Sequence, residues 1–257
     1  IKWPIYSSIL QAPPNNEEKY DLFHRVILAV SEPLESKRIH INVGEKTHEY
    51  YIQKVYAKCS KYLGNMQIDR ECFNSEIQSY SAHLKRVVDI SRSLNIVPAF
   101  YTDSIEICPK EQSINRVKFP EDCNVDVDTE TFIQLNEALG DSEIEFIHRN
   151  YASEESAFDK KIKLLGSPVD DDTILKQKRN WSICLSLWSW NRFWVALYWS
   201  VNMMESGFTA ALKNNIKHVY ITAWSHDGSE ISMASVEAAL AFFSELVHTK
   251  NEQSSRS

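Results

Sequence analysis

The chain alternates short apolar runs with longer amphipathic ones, and no other feature restricts its fold as tightly. The apolar runs are Arg38–Val43, Ile96–Tyr101, Glu143–Ile147, Ser182–Leu187 and His218–Ala223. Each is short, carries β-branched or aromatic residues, and lacks strict in–out alternation. Strands covered on both faces read this way. Helical patterns lie between them. Ile77, Tyr80, Leu84, Val87 and Val88 recur at spacings of three and four, on one helix face. Ser153, followed by Glu154 and Glu155, caps a helix with the stripe Phe158, Ile162 and Leu165. Asn95 marks a helix stop and Pro98 a strand start, and a last helix is expected over Ser232–Leu246. Strands joined by helices imply a parallel sheet, so the expected fold class is α/β.

With 257 residues, 43% of them hydrophobic and 25% charged, the chain suffices for one large domain or two small ones. A net charge of -7 argues against a nucleic-acid or anionic-membrane surface. The longest apolar run, Ile183 to Met204, has Asn191 and Arg192 at its centre. An arginine there costs roughly 2.5–3.5 kcal/mol on insertion scales, so a strand, a polar turn and a helix fit better than a membrane span. No signal-peptide pattern opens the sequence, and the expected location leans cytoplasmic. Ile1-Lys2-Trp3-Pro4 reads as the middle of a longer chain.

Cys59, Cys72, Cys108, Cys123 and Cys184 are scattered and odd in number, without a Cys-x-x-Cys. Reduced thiols are the simplest expectation. The sequon Asn180-Trp181-Ser182 lies where a buried strand is expected. His40, Glu45 and His48 invite a metal reading, but their spacing fits no zinc-protease motif, and His40 among apolar neighbours reads as a satisfied buried histidine. The segment Thr102–Asp128 is a long polar connection of the kind that carries function or disorder. A polar tail covers residues 250–257.

The first apolar run, Arg38-Ile39-His40-Ile41-Asn42-Val43-Gly44-Glu45, ends on a lone carboxylate. The carboxyl end of a buried strand is where α/β folds place chemistry. This run resembles the signature strand of glycoside hydrolase family 20, the β-N-acetylhexosaminidases, written His-x-Gly-x-Asp-Glu. Trp188-Ser189-Trp190-Asn191-Arg192-Phe193-Trp194 resembles the family's motif after the seventh barrel strand. Thr222-Ala223-Trp224-Ser225-His226-Asp227-Gly228-Ser229-Glu230 resembles the one after the eighth. Ile1-Lys2-Trp3-Pro4, Ser31-Glu32-Pro33 and Ser36-Lys37-Arg38 are similar to the approach to the fourth. The motifs occur in the family's order and at its separations. The resemblance covers nearly the whole chain and implies a partial (β/α)8 TIM barrel over residues 1–249, roughly strands four to eight. A missing barrel half or an oligomer partner is then expected.

The family's implied chemistry is substrate-assisted, retaining removal of terminal β-linked N-acetylhexosamine from a glycan or glycoconjugate, with no cofactor and no metal. The resemblance assigns Glu45 as general acid/base. Gly44 stands where the family has the Asp that orients the acetamido group. Trp188, Trp190 and Trp224 correspond to the aromatic walls, and Asp227 and Glu230 to ligands of the far hydroxyls. Asp103, in Tyr101-Thr102-Asp103, corresponds to a polar site residue, and Tyr151 to a ligand of the acetamido carbonyl. From the residues alone, Trp188 and Trp190 serve equally as core, Trp194 reads as core at a helix start, and Asn191 with Arg192 reads as an internal clasp. Further departures are Asn42 for Gly, Ser225 for Gly, His226 for Asp, and His148, Arg149 and Asn150 for Trp, Asp and Tyr. Two functions are therefore expected as alternatives: an impaired hydrolase, or a carbohydrate-binding or scaffolding pseudoenzyme.

Overall fold

A computed structural model describes residues 17–41, 70–102, 134–140, 142–149, 162, 179–187, 193–223 and 232–254. The order of elements is α1 (Glu17–Ser31), β1 (Arg38–His40), α2 (Arg70–Ser93), β2 (Val97–Tyr101), β3 (Glu145–Arg149), β4 (Asn180–Ser186), α3 (Leu197–Lys213), β5 (His218–Thr222) and α4 (Met233–Ser254). The five strands form a parallel sheet in the order β1-β2-β3-β4-β5, so sequence neighbours are hydrogen-bonded neighbours. This is the α/β class that the alternation predicts. The chain divides into two compact units, Ile1–Phe146 with Asp172–Asn180, and Ile147–Asp171 with Trp181–Ser257.

In the first unit, α1 forms because Tyr20, Phe23, Ile27 and Ser31 make one buried stripe and Glu17 and Glu18 complement the helix dipole at its start. It packs on α2 and β1. The α2 helix buries Leu84, Val87 and Val88, and ends where Asn95 turns left-handed at φ 57°. Ile96 N–H then bonds Ser91 O at 3.0 Å, which satisfies a terminal carbonyl and sends the chain into β2. Pro98 is tolerated inside β2 because the ladder to β1 runs through Val97 N–H to Lys37 O and Ile41 N–H to Ala99 O, at 2.9 and 2.8 Å. The entry to β3 is clasped by Arg179, only 8% exposed. Its guanidinium donates to Asn136 Oδ1 at 2.9 Å, Gly140 O at 2.7 Å and Ser142 O. Arg92 adds a bond to Ser142 Oγ at 3.1 Å.

The second unit is built on β4, whose residues Trp181 to Ser186 are all buried. Its register with β5 runs from Ser182 opposite His218 to Ser186 opposite Thr222. Ile183 and Leu185 are wholly buried, each worth about 1.5–3 kcal/mol. Helix α3 approaches β4 so closely that a Cβ at Gly207 would collide with the Leu185 side chain. Phe208 of α3 meets Phe243 of α4 edge-on at 6.2 Å. Among the described residues, no helix is long and apolar enough to cross a membrane.

Several expectations are corrected. Burial on both faces holds for β2, β3 and β4 but not for the outer strands, where β1 and β5 alternate exposed and partly covered residues. An outer strand has a neighbour on one side only. His40, expected buried, is exposed on β1, with its ring 4.1 Å from that of Tyr101. Trp194, expected as core at a helix start, is 60% exposed, and α3 begins three residues later. Cys72, expected reduced, is disulfide-bonded, whereas Cys184 is a buried free thiol. Strand β3 runs to Arg149, past the expected stop at Ile147. Of the helix expected from Ser153, only Ile162 lies among the described residues, where it is helical and buried. The sequon's Trp181 and Ser182 are buried in β4, which closes that site in the folded chain.

Candidate functional site

Glu45, Gly44, Asp103, Tyr151, Trp188, Trp190, Trp224, Asp227 and Glu230 all lie outside the described residues. So do Asn42, His48, Asn150, Asn191, Arg192, Ser225 and His226. The structure describes the strand ends from which these segments leave.

In the first unit, β1 and β2 are adjacent and parallel, and the register that pairs His40 with Ala99 sets Ile41 two positions short of Thr102 along the sheet. Glu45 follows Ile41 by four positions, and Asp103 follows Thr102 directly. Thr102 is fully buried, which fixes the backbone at the start of the second segment. His40 and Tyr101 share a sheet face, with rings tilted by 57°. On β3, the Glu145 carboxylate is 1% exposed and meets Arg38 Nη1 at 3.4 Å. Arg38 therefore reaches past β2, and the pair ties the first strand to the third. A buried carboxylate gains from a nearby cation, and Arg38 supplies one to Glu145 from the edge strand.

In the second unit, the two segments with tryptophans are tied at both ends. Leu187 N–H bonds Thr222 O at 2.9 Å, and the Thr222 hydroxyl donates to Leu185 O at 3.0 Å. These bonds lock the strand ends just before Trp188 and two residues ahead of Trp224. At the far side, Ser232 N–H bonds Phe193 O at 2.8 Å. Val195 N–H bonds Ser235 Oγ at 3.1 Å, and that hydroxyl donates to Ser232 O at 2.8 Å. Residues 188–192 and 224–231 thus leave from one bonded pair and return to another. Sequence reasoning missed Thr222, Ser232 and Ser235 as anchors. Their hydroxyls sit at a strand end and a helix start, positions that signal local capping but do not reveal a distant partner.

Further buried polar groups of the second unit lie on β3, β4 and α3. His148 is fully buried and stacks on Trp181 at 4.9 Å and 10°. The Oγ atoms of Ser186 and Ser200 are buried without hydrogen-bond partners among the described residues. Ser186 N–H is directed at Met203 Sδ, 3.4 Å away. Among the described residues, no three His, Cys, Asp or Glu side chains are grouped to hold a metal ion. No protein-family model matches the chain, and no curated protein matches it.

Proposed function

We propose that the chain is part of a glycoside hydrolase domain of the β-N-acetylhexosaminidase type, a partial (β/α)8 barrel carrying an impaired site for terminal N-acetylhexosamine. The observation that carries this reading is the ordered set of three motifs, Arg38–Glu45, Trp188–Trp194 and Thr222–Glu230, each beginning on or just after an apolar strand run. The parallel α/β arrangement is compatible with it, and the paired anchoring of residues 188–192 and 224–231 supports the two tryptophan segments acting together.

In this reading the acetamido oxygen of the substrate attacks the anomeric carbon while Glu45 protonates the leaving oxygen. Glu45 then takes a proton from the water that opens the oxazolinium intermediate. A positioned acid contributes about 10²–10⁴-fold. Gly44 offers no carboxylate to hold the acetamido nitrogen or to stabilise the cationic intermediate. Losing an electrostatic contact of that kind removes about 10²–10³-fold. Slow turnover follows.

The pseudoenzyme is the second reading, and Gly44 is the observation that favours it. A chromogenic β-N-acetylglucosaminide assay separates the two. Slow turnover that disappears in Glu45→Gln supports the hydrolase, and Gly44→Asp should then raise the rate by about 10²-fold or more. Binding of N-acetylglucosamine without turnover, unchanged by Gly44→Asp, supports the pseudoenzyme. Absence of both turnover and sugar binding overturns the carbohydrate reading.

A further inference from the structure

The first unit contains a buried histidine that neither proposed function uses. His83 lies on α2, 4% exposed, facing α1. Its Nδ1 is 2.9 Å from the hydroxyl of Tyr20, itself 3% exposed on α1. Its Nε2 is buried with no hydrogen-bond partner among the described residues. The hydroxyl and the ring thus bond across the helix pair at one nitrogen only. We propose that this contact is an acid-sensitive latch, holding α1 on α2 while His83 is neutral and releasing it when His83 takes a proton.

The surroundings decide the direction. A charged imidazole needs acceptors or a carboxylate at both nitrogens. From α1 the groups seen against this contact are Tyr20 and Glu17, with His24 one turn further along that helix, and Tyr80 precedes His83 by three positions on α2. Glu17 is already engaged with Arg86 Nη2 at 2.6 Å. Arg86, on His83's own helix, lies over the Tyr20 ring at 5.5 Å and adds positive charge to this side. Lys85 and Asp89 pair with each other at 3.2 Å on the exposed face of α2. From β2, the other element packed on α2, the only titratable residue is Tyr101, whose ring stands against His40. The carboxylate that faces this contact, Glu17, is already held by Arg86, and no hydrogen-bond partner meets His83 Nε2 among the described residues. Burial is the cause that lowers the His83 pKa from 6.5 to about 4. Burial also raises the Tyr20 pKa, opposed by Arg86 and assisted by Glu17, so the phenol stays neutral throughout.

The sign follows from linkage. The released state binds a proton at ordinary histidine pH and the latched state resists it, so the latch is intact above about 6.5 and weakens as pH falls toward 4. From well above 6.5 to well below 4 the latching equilibrium changes by up to about 300-fold, since 2.5 pH units separate the two values. Helix α1 also packs on β1, so its release reaches the strand that leads to Glu45.

The test is hydrogen exchange of residues 17–31 in the intact chain between pH 7.5 and 4.5, corrected for intrinsic exchange. Protection of α1 should fall with acid in the native protein and lose that dependence in His83→Phe. Tyr20→Phe should lower α1 protection already at pH 7.5, because the bond that holds the helices is lost, while the buried His83 ring still gives an acid response. An equal acid response in His83→Phe overturns the proposal, as does undiminished α1 protection in the native chain at pH 4.5. Should His83→Phe not fold, carbon-13 histidine NMR of the native protein decides the matter. A His83 titration well below 6.5 supports the latch, and one at the ordinary value overturns it.

Discussion

Gly207 shows how one absent side chain can set the approach of two elements. It sits on the buried face of α3, and a Cβ there would be driven into Leu185, which is wholly buried on β4. Gly207→Ala improves helix propensity by about 1 kcal/mol but overpacks the contact by about 1–3 kcal/mol. The helix must move or Leu185, wholly buried, must leave its rotamer. Net destabilisation of about 1 kcal/mol is expected, read as a lower urea midpoint at unchanged slope. Combining it with Leu185→Ala should cost less than the sum of the two single changes, because the smaller side chain accepts the methyl group. Additive costs would show that the close approach is not what Gly207 provides.

The same dependence on distant partners explains which elements are legible in the sequence. The strands Arg38–His40, Val97–Tyr101 and His218–Thr222 fall inside the apolar runs, because β-branched and aromatic residues mark them locally. The apolar run places β3 two residues too early. The run's first residue, Glu143, lies outside the strand and His148 and Arg149 lie past the end of the run, yet Glu145 meets Arg38, 107 positions away, and His148 stacks on Trp181. Likewise β4 starts at Asn180, whose N–H bonds Ile144 O at 3.0 Å. The candidate site is legible only as motifs, because a motif names residue types and leaves their mutual distances to long-range packing. Arg179 allows a direct test of such a distant partner. Its bonds to Asn136, Gly140 and Ser142 hold the turn that feeds β3. Arg179→Lys keeps the charge but loses the planar fork, leaving buried acceptors unmatched. A stability loss of about 2–3 kcal/mol is expected by chemical denaturation, with faster hydrogen exchange concentrated in residues 136–149. A loss below about 0.5 kcal/mol would assign the clasp to solvent-replaceable contacts.

For the molecule as a whole, the contrast between covered and uncovered strands sets how it behaves in solution. Strands β2, β3 and β4 are buried, but β5 leaves Tyr220 38% exposed, and β1 exposes both Arg38 and His40. Natural edges are protected by charge, and Lys37 with Arg38 guards β1 in this way, with Lys217 and His218 at the start of β5. The second unit adds a run of exposed apolar side chains, Phe193, Trp194, Leu197, Tyr198 and Trp199, at 42–73% exposure. Contiguous apolar surface of this kind promotes association. A net charge of -7 opposes it over long range but is screened within about 8 Å at physiological salt. The expected outcome is concentration-dependent self-association of the isolated chain that strengthens with salt, seen by sedimentation velocity. Trp194→Lys with Tyr198→Lys should suppress it at little cost in stability, since both side chains are already more than half exposed. If the double variant associates like the parent, the exposed run is not the driver, and Tyr220→Lys tests the β5 edge in its place. A parent chain that stays monodisperse at every salt concentration would mean that the guarded edges suffice, and that neither surface seeks a partner.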